Sequence, residues 1–225
     1  MPTLTLEIAQ ELLDAVEGEI DAIDANKFDA IDDLAAEALA KHEHNLSLDG
    51  LTKLSDAAVE ALAKHQGDWL FLDGLTQLSD AAAEALAKRQ GGLYLNGLTQ
   101  LSDAAAEALA QHQGELHLNG LTQLGDAAAE ALAQHEGHLS LDGLRQFSEA
   151  AAEMLSKHPS EVLRHREDGP AFTDERGNRK WWFQGERYHD AEKWAEAVLK
   201  SRNEPHDGHS VNDFLRDVLM KDDLI

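Results

Sequence analysis

"LYLNGLTQLSDAAAEALAQHQGE" occupies Leu93 to Glu115, and "LHLNGLTQLGDAAAEALAQHEGH" follows at once from Leu116 to His138. The same frame continues in both directions. Its Asp-Gly or Asn-Gly glycine falls at Gly50, Gly74, Gly97, Gly120 and Gly143, at intervals of 24, 23, 23 and 23 residues, with the extra residue near Trp69. A fixed period of this size predicts a solenoid, in which each unit buries its apolar face only against its neighbours.

Within one unit, Leu93 and Leu95 alternate with Tyr94, the pattern of a short strand with one buried and one open face. Asn96-Gly97 turns the chain, and glycine suits a point of positive φ or of close backbone approach. A helix starts at Ser102 or Asp103. The acidic column (Asp56, Asp80, Asp103, Asp126, Glu149) is more constant than the serine column, which Gly125 interrupts. Aspartate is therefore expected as the cap or first-turn anion. "DAAAEALA" has high helix propensity, and its small side chains let the helix lie close to the strands, with Leu109 as anchor. Gly114, in a column with Gly67, Gly91 and Gly137, is expected to close each helix in a left-handed cap. Because the same crossover follows every strand, the strands must run parallel.

These units, carried by "LxLxGLTxLSDAAAEAL", resemble the short bacterial leucine-rich repeats over roughly residues 20 to 158. The resemblance implies an α/β solenoid of parallel strands and short helices. One departure is that Asn or Asp stands directly after the strand, at Asp49, Asp73, Asn96, Asn119 and Asp142, rather than further along the motif.

The register extends backwards, since Phe28 aligns with Leu51, Ile31 with Leu54 and Glu37 with Glu60. Residues 1–25 are thus expected to hold a capping helix (Ile8 to Val16) and a degenerate strand (Ile23 to Ala25), with the solenoid over 26–158. Pro159 breaks the pattern and marks the domain boundary. Beyond it, "HREDGPAFTDERGNRKWWFQGERYHD" (His165 to Asp190) reads as strands at Ala171 to Thr173, Lys180 to Phe183 and Glu186 to Tyr188, with a turn at Gly177-Asn178. This stretch is similar to one unit of the MORN-variant repeats of bacterial and phage proteins. The match lies at His165 through Ala171, Gly177, Trp181, Trp182, Gly185 and His189. It implies a small antiparallel sheet and no particular chemistry. Two amphipathic helices, near Asp190 to Lys200 and Ser210 to Met220, complete a small α+β domain over 159–225.

The formal charge of -24 and pI near 4.7 disfavour direct binding to nucleic acid or an anionic membrane. With no cysteine, disulfides and thiolate metal sites are excluded. The first residues lack a basic segment followed by an apolar core, so a cytoplasmic protein is the expectation. No P-loop, dinucleotide fingerprint, HExxH helix or nucleophile elbow is present, and neither enzymatic activity nor a cofactor is expected. The histidine column (His42, His65, His112, His135, His158, with Arg89 once) falls in the last helical turn, where the helix dipole favours cations. The tandem Trp181-Trp182 reads as one ring in the small core and one on its surface.

Positions that vary while the frame stays constant point off the sheet and are free for recognition. They are Asn45 and Ser47, Trp69 and Phe71, Gly92 and Tyr94, Glu115 and His117, and His138 and Ser140. Trp69, Phe71 and Tyr94 form an exposed aromatic patch of the kind that anchors partners. Two alternatives stay open: Trp69 turning inward to fill a gap, and the C-terminal domain folding over the patch. Glu115, His117 and His138 come close enough to hold Zn²⁺, but solvated histidines at an interface are expected instead, with no metal. The reading is a non-enzymatic module that binds a partner protein through the open face (Ser47, Trp69, Phe71, Tyr94, Glu115, His117, His138 and Ser140). The alternative is an acidic mimic of nucleic acid that inhibits a DNA- or RNA-binding protein, such as a bacterial defence nuclease.

Overall fold

The computed structural model of the chain describes residues 2–15, 22–160, 172–173, 179–183, 186–188 and 190–222. A first parallel pair, β1 (Thr3–Leu4) and β3 (Ala30–Ile31), lies beside helix α1 (Leu6–Ala15). The main sheet has six strands in the order β2 (Ala22–Asp24), β4 (Asn45–Ser47), β5 (Trp69–Phe71), β6 (Gly92–Tyr94), β7 (Leu116–His117) and β8 (Leu139–Ser140). All its neighbours are parallel, and Ile23, Leu46, Leu70, Leu93, Leu116 and Leu139 sit side by side. Helices follow the strands as α2 (Asp33–Leu39), α3 (Asp56–Leu62), α4 (Asp80–Leu86), α5 (Asp103–Ala110), α6 (Asp126–Leu132) and α7 (Glu149–Leu155). The chain is thus α/β, with a parallel sheet whose strands alternate with helices, an arrangement compatible with a solenoid-like repeat.

Leucines and alanines build one continuous core. Leu93, Leu95 and Leu98 are fully buried against Ala105, Ala106 and Leu109, and each unit repeats the pattern. Truncating any of these leucines to alanine leaves a cavity worth about 2–5 kcal/mol. At the N-terminal end α1 packs on α2, with Ala9 buried and Ile8, Leu12 and Leu13 against the core. The β1–β3 pair has no counterpart in the sequence reading.

Three ladders of polar groups tie each unit to the next. The Asn/Asp column after each strand accepts a backbone N–H from the following unit: Asn26 Oδ1 from Asp49 (2.7 Å), Asp49 from Asp73 (2.9 Å), Asp73 from Asn96 (2.8 Å), Asn96 from Asn119 (3.0 Å) and Asn119 from Asp142 (2.9 Å). The glycine beside this column permits the approach. A Cβ on Gly97 would lie 1.9 Å from the Asp73 carbonyl oxygen, a backbone contact that nothing can relieve cheaply.

The second ladder decides between the two places expected for the acidic column, cap or first turn, in favour of the first turn. Ser55, Ser79, Ser102 and Ser148 are the N-caps, accepting from the N–H of Ala58, Ala82, Ala105 and Ala151. The acidic column supplies the first-turn anion, because the extended backbone of a cap falls one residue earlier. Its carboxylates do a second job: Ser55, Ser102 and Ser148 donate their hydroxyls to Asp33, Asp80 and Asp126 of the preceding unit.

The third ladder corrects the histidine column. His65, His112, His135 and His158 are almost fully buried, with Nε2 donating to the carbonyls of His44 (2.9 Å), Gly91 (2.8 Å), Gly114 (3.1 Å) and His135 (2.8 Å). Burial pushes the His65 imidazole down to about 4 and lowers those of His112 and His158. For these three the working form is a neutral imidazole that satisfies a backbone carbonyl, rather than a cation answering a helix dipole. The Gly67, Gly114 and Gly137 column leaves room for this contact, since a Cβ would meet a backbone oxygen at 1.8–2.3 Å. Only Gly91 has the expected left-handed conformation (φ 83).

Arg89 stands in the histidine column where the spacing lengthens, because the extra residue falls between His65 and Trp69. Its longer side chain spans the insertion, donating from Nη1 to the Gly92 carbonyl (2.9 Å) and from Nη2 to that of Gly67. At the far end, the Leu139 N–H on the last strand is taken by Ser160 Oγ (3.1 Å).

Beyond this, β9 (Phe172–Thr173), β10 (Arg179–Phe183) and β11 (Glu186–Tyr188) form an antiparallel sheet with β10 central, at the places the β-prone runs predict. Helices α8 (Ala191–Ser201) and α9 (Gly208–Asp222) share a second core of Trp194, Ala195, Val198, Leu199, Val211, Leu215 and Val218, and α8 packs on β10 and β11. The MORN-variant match at His165 through Ala171, Gly177, Gly185 and His189 lies outside the described residues. Trp181 and Trp182 fall within β10.

Candidate protein-interaction surface

Strand alternation puts Leu70, Leu93 and Leu116 inward and their flanking residues on the opposite face. Parallel register then lines up Phe71, Tyr94 and His117, and likewise Trp69 and Gly92. The outcome is a continuous row of rings. Phe71 stacks on Tyr94 with centroids 4.5 Å apart, Tyr94 on His117 at 4.1 Å and 4° from parallel, and His117 meets His138 at 5.5 Å. Trp69 joins from the side, 5.6 Å from Tyr94.

Gly92 seats the tryptophan. A Cβ there would lie 2.0 Å from the Trp69 ring, so the indole lies across the glycine on the open face rather than turning inward. Trp69, Phe71, Tyr94 and His117 are half-buried, and His138 at the end of the row is exposed. Burial, then the carboxylates of Glu115 and Asp73, raises the Tyr94 phenol above its ordinary value and keeps it a neutral hydroxyl. Burial likewise lowers the His117 imidazole, with Glu115 opposing and His138 adding to the shift.

Glu115, His117 and His138 come together at one end of the row, with one donor atom from each within 4.8 Å of the others. His117 Nε2 lies 3.5 Å from Glu115 Oε2, longer than an ordinary hydrogen bond, and this buried nitrogen has no hydrogen-bond partner. Ser47 and Ser140 flank the row of rings, beside Phe71 and His117, and are already engaged. Ser47 Oγ donates to Asn26 Oδ1 (2.9 Å) and Ser140 Oγ to Asn119 Oδ1 (2.6 Å), so both hydroxyls brace the Asn/Asp ladder.

The helical side is different in character. Asp56, Asp80, Asp103, Asp126 and Glu149 form one exposed acidic column, and Glu60, Glu84, Glu107, Glu130 and Glu153 form another. A groove of about 950 Å³ between α3 and α4 is lined by Glu60, Glu84 and Asp68 together with Lys64, Lys88 and Arg89. The two groups there with a buried charge or imidazole, Arg89 and His65, are committed to backbone carbonyls.

No protein-family model matches the chain, and no curated protein matches it. Among the described residues, no helix is long and apolar enough to cross a membrane. Sequence reasoning missed the seat at Gly92 and the bridge at Arg89. Both had a visible signal, a glycine opposite the only tryptophan of the repeat strands and an arginine opposite the only 24-residue interval.

Proposed function

We propose that the chain is a non-enzymatic protein-binding module, a leucine-rich-repeat-like solenoid followed after Pro159 by a small MORN-variant-like α+β domain, acting in the cytoplasm. The surface that takes the partner is the open sheet face at Trp69, Phe71, Tyr94, Glu115, His117 and His138, with Ser47 and Ser140 at its margins. The row of five contiguous rings carries this reading. None of the five sits in the leucine core or in the ladders that join the units, so the scaffold does not require them. Aromatic side chains held by their neighbours give a large contact area at little further entropy loss, which is why they dominate interface energetics. The test is to measure binding of a captured partner to Trp69→Ala and Tyr94→Ala, each of which should weaken it by about 2 kcal/mol or more.

A second reading rests on the two exposed acidic columns of the helical side. Regularly spaced carboxylates on a chain of charge -24 could imitate a nucleic-acid backbone and occupy a basic DNA- or RNA-binding protein. Salt separates the two readings. Exposed charges are screened over about 8 Å at physiological ionic strength, so mimicry weakens steeply with added salt whereas ring burial does not.

A further inference from the structure

We propose that Glu115, His117 and His138 form a binding site for one divalent transition-metal ion of the zinc class. The donor set is two imidazole nitrogens and one carboxylate oxygen, a combination that holds Zn²⁺ with one position left open. Calcium and magnesium, which require shells of oxygen, do not suit it. The site goes beyond the interface reading and stands without it.

Three observations converge. The donor atoms lie within 4.8 Å of one another, and ligands about 2.1 Å from a tetrahedral ion sit about 3.4 Å apart, so the side chains must draw in by roughly 1 Å. Glu115 and His138 are exposed, so packing does not lock either side chain against turning toward His117. The third ligand is already fixed, because parallel stacking on Tyr94 at 4.1 Å holds the His117 ring in place. Finally, His117 Nε2 is buried, faces this cluster and has no hydrogen-bond partner. A buried polar atom without a partner is unfavourable and calls for an explanation, and coordination supplies one. Spacing alone favours solvated histidines here. His138 is exposed as that expectation has it, whereas His117 Nε2 is buried. The open position would be filled by water or by a donor atom from a bound partner.

The experiment uses the full chain without an affinity tag, titrated with Zn²⁺ alone in a calorimeter and compared with Mg²⁺. One saturable Zn²⁺ site per chain is expected, with no Mg²⁺ response. His117→Ala and His138→Ala should each lower the Zn²⁺ affinity at least about tenfold, the loss that even an outer-shell partner can produce. Glu115→Gln should lower it less. The double variant His206→Ala/His209→Ala, which removes two exposed histidines of the C-terminal region, should bind as the parent does. Circular dichroism checks that each variant folds. If His117→Ala does not, His138→Ala at its exposed position carries the same test. Absence of saturable Zn²⁺ binding, or an affinity unchanged in His138→Ala and Glu115→Gln, overturns the site. Neither result depends on a partner protein, so failure here leaves the interface reading untouched.

Discussion

Changing Gly125 to serine should stabilise the protein, and the gain can be worked out from its neighbours. Gly125 is the N-cap of α6 and has no side chain to accept the Ala128 N–H. Its φ and ψ of -75 and 164 match those of Ser102 (-72, 158) and Ser148 (-75, 168), so serine adopts the conformation without strain. A Cβ at this position meets only Asp103 Oδ1, at 3.7 Å, an ordinary contact. From there the hydroxyl can bond as Ser102 does to Asp80 and Ser148 to Asp126, joining α6 to α5. The cap adds a few tenths of a kcal/mol over glycine, and the loss of glycine's freedom in the unfolded chain adds about 0.4–1. An exposed hydroxyl–carboxylate bond adds about 0.5. The total is about 1–2 kcal/mol, or roughly 2–8 °C in the midpoint for a chain of this size. Thermal unfolding followed by far-ultraviolet circular dichroism reads it directly. Gly125→Ala is the control, since alanine is a poor cap and should not raise the midpoint. A serine variant no more stable than the parent, or no better than the alanine variant, refutes the ladder argument.

Arg89→His should destabilise by about 2 kcal/mol, because imidazole cannot reach across the insertion to the Gly67 and Gly92 carbonyls. Deleting Asp68 in the same chain restores the 23-residue spacing and should recover much of that loss in urea titrations; no recovery would mean that Arg89 does not serve the insertion. Acidification should weaken the fold before most carboxylates titrate. Unfolded histidines protonate near 6.5 whereas folded His65 resists to about 4, so the unfolded state takes up protons that the native state excludes. The stability is fully present above about pH 6.5 and declines toward pH 4, by up to about 1.4 kcal/mol per pH unit for each such histidine. Urea midpoints across this range should show the decline, and His65→Gln should make it shallower. Gly92→Ala should displace the Trp69 ring while leaving the leucine core intact, visible as a changed near-ultraviolet circular dichroism spectrum with an unchanged far-ultraviolet one.

The parallel sheet and its helices were legible because apolar periodicity is written into every unit, and even the degenerate first strand followed from the alignment of Phe28, Ile31 and Glu37 with their counterparts. The groups that join one unit to the next were less so. Ser102 and Asp103 are adjacent and both can cap a helix, so only backbone conformation separates them. Gly114 looks like a helix terminator in one dimension. Its role is set by the Gly91 carbonyl 1.8 Å from where its Cβ would stand, a contact across the stack. The histidine column misled for the same reason: a position near a helix end suggests exposure and charge, and the neighbouring coil that buries it is 21 residues away in sequence. On the open face, strand alternation was enough to place Trp69, Tyr94, Glu115, His117 and His138. Ser47 and Ser140 share that face but are engaged by the Asn/Asp ladder, which alternation does not reveal.

The most direct test of the interface reading is affinity capture from the cells that express the chain, with the wild-type protein, Trp69→Ala, Tyr94→Ala and a variant with Glu60, Glu84, Glu107 and Glu130 changed to Gln used as parallel baits. Any captured protein is then purified and titrated against all four. The account predicts a partner that stays bound as salt is raised and keeps its affinity for the Gln variant. It also predicts a loss of about 2 kcal/mol, roughly thirtyfold, with each aromatic variant. A partner released by salt, lost by the Gln variant and held equally by Trp69→Ala and Tyr94→Ala would contradict it.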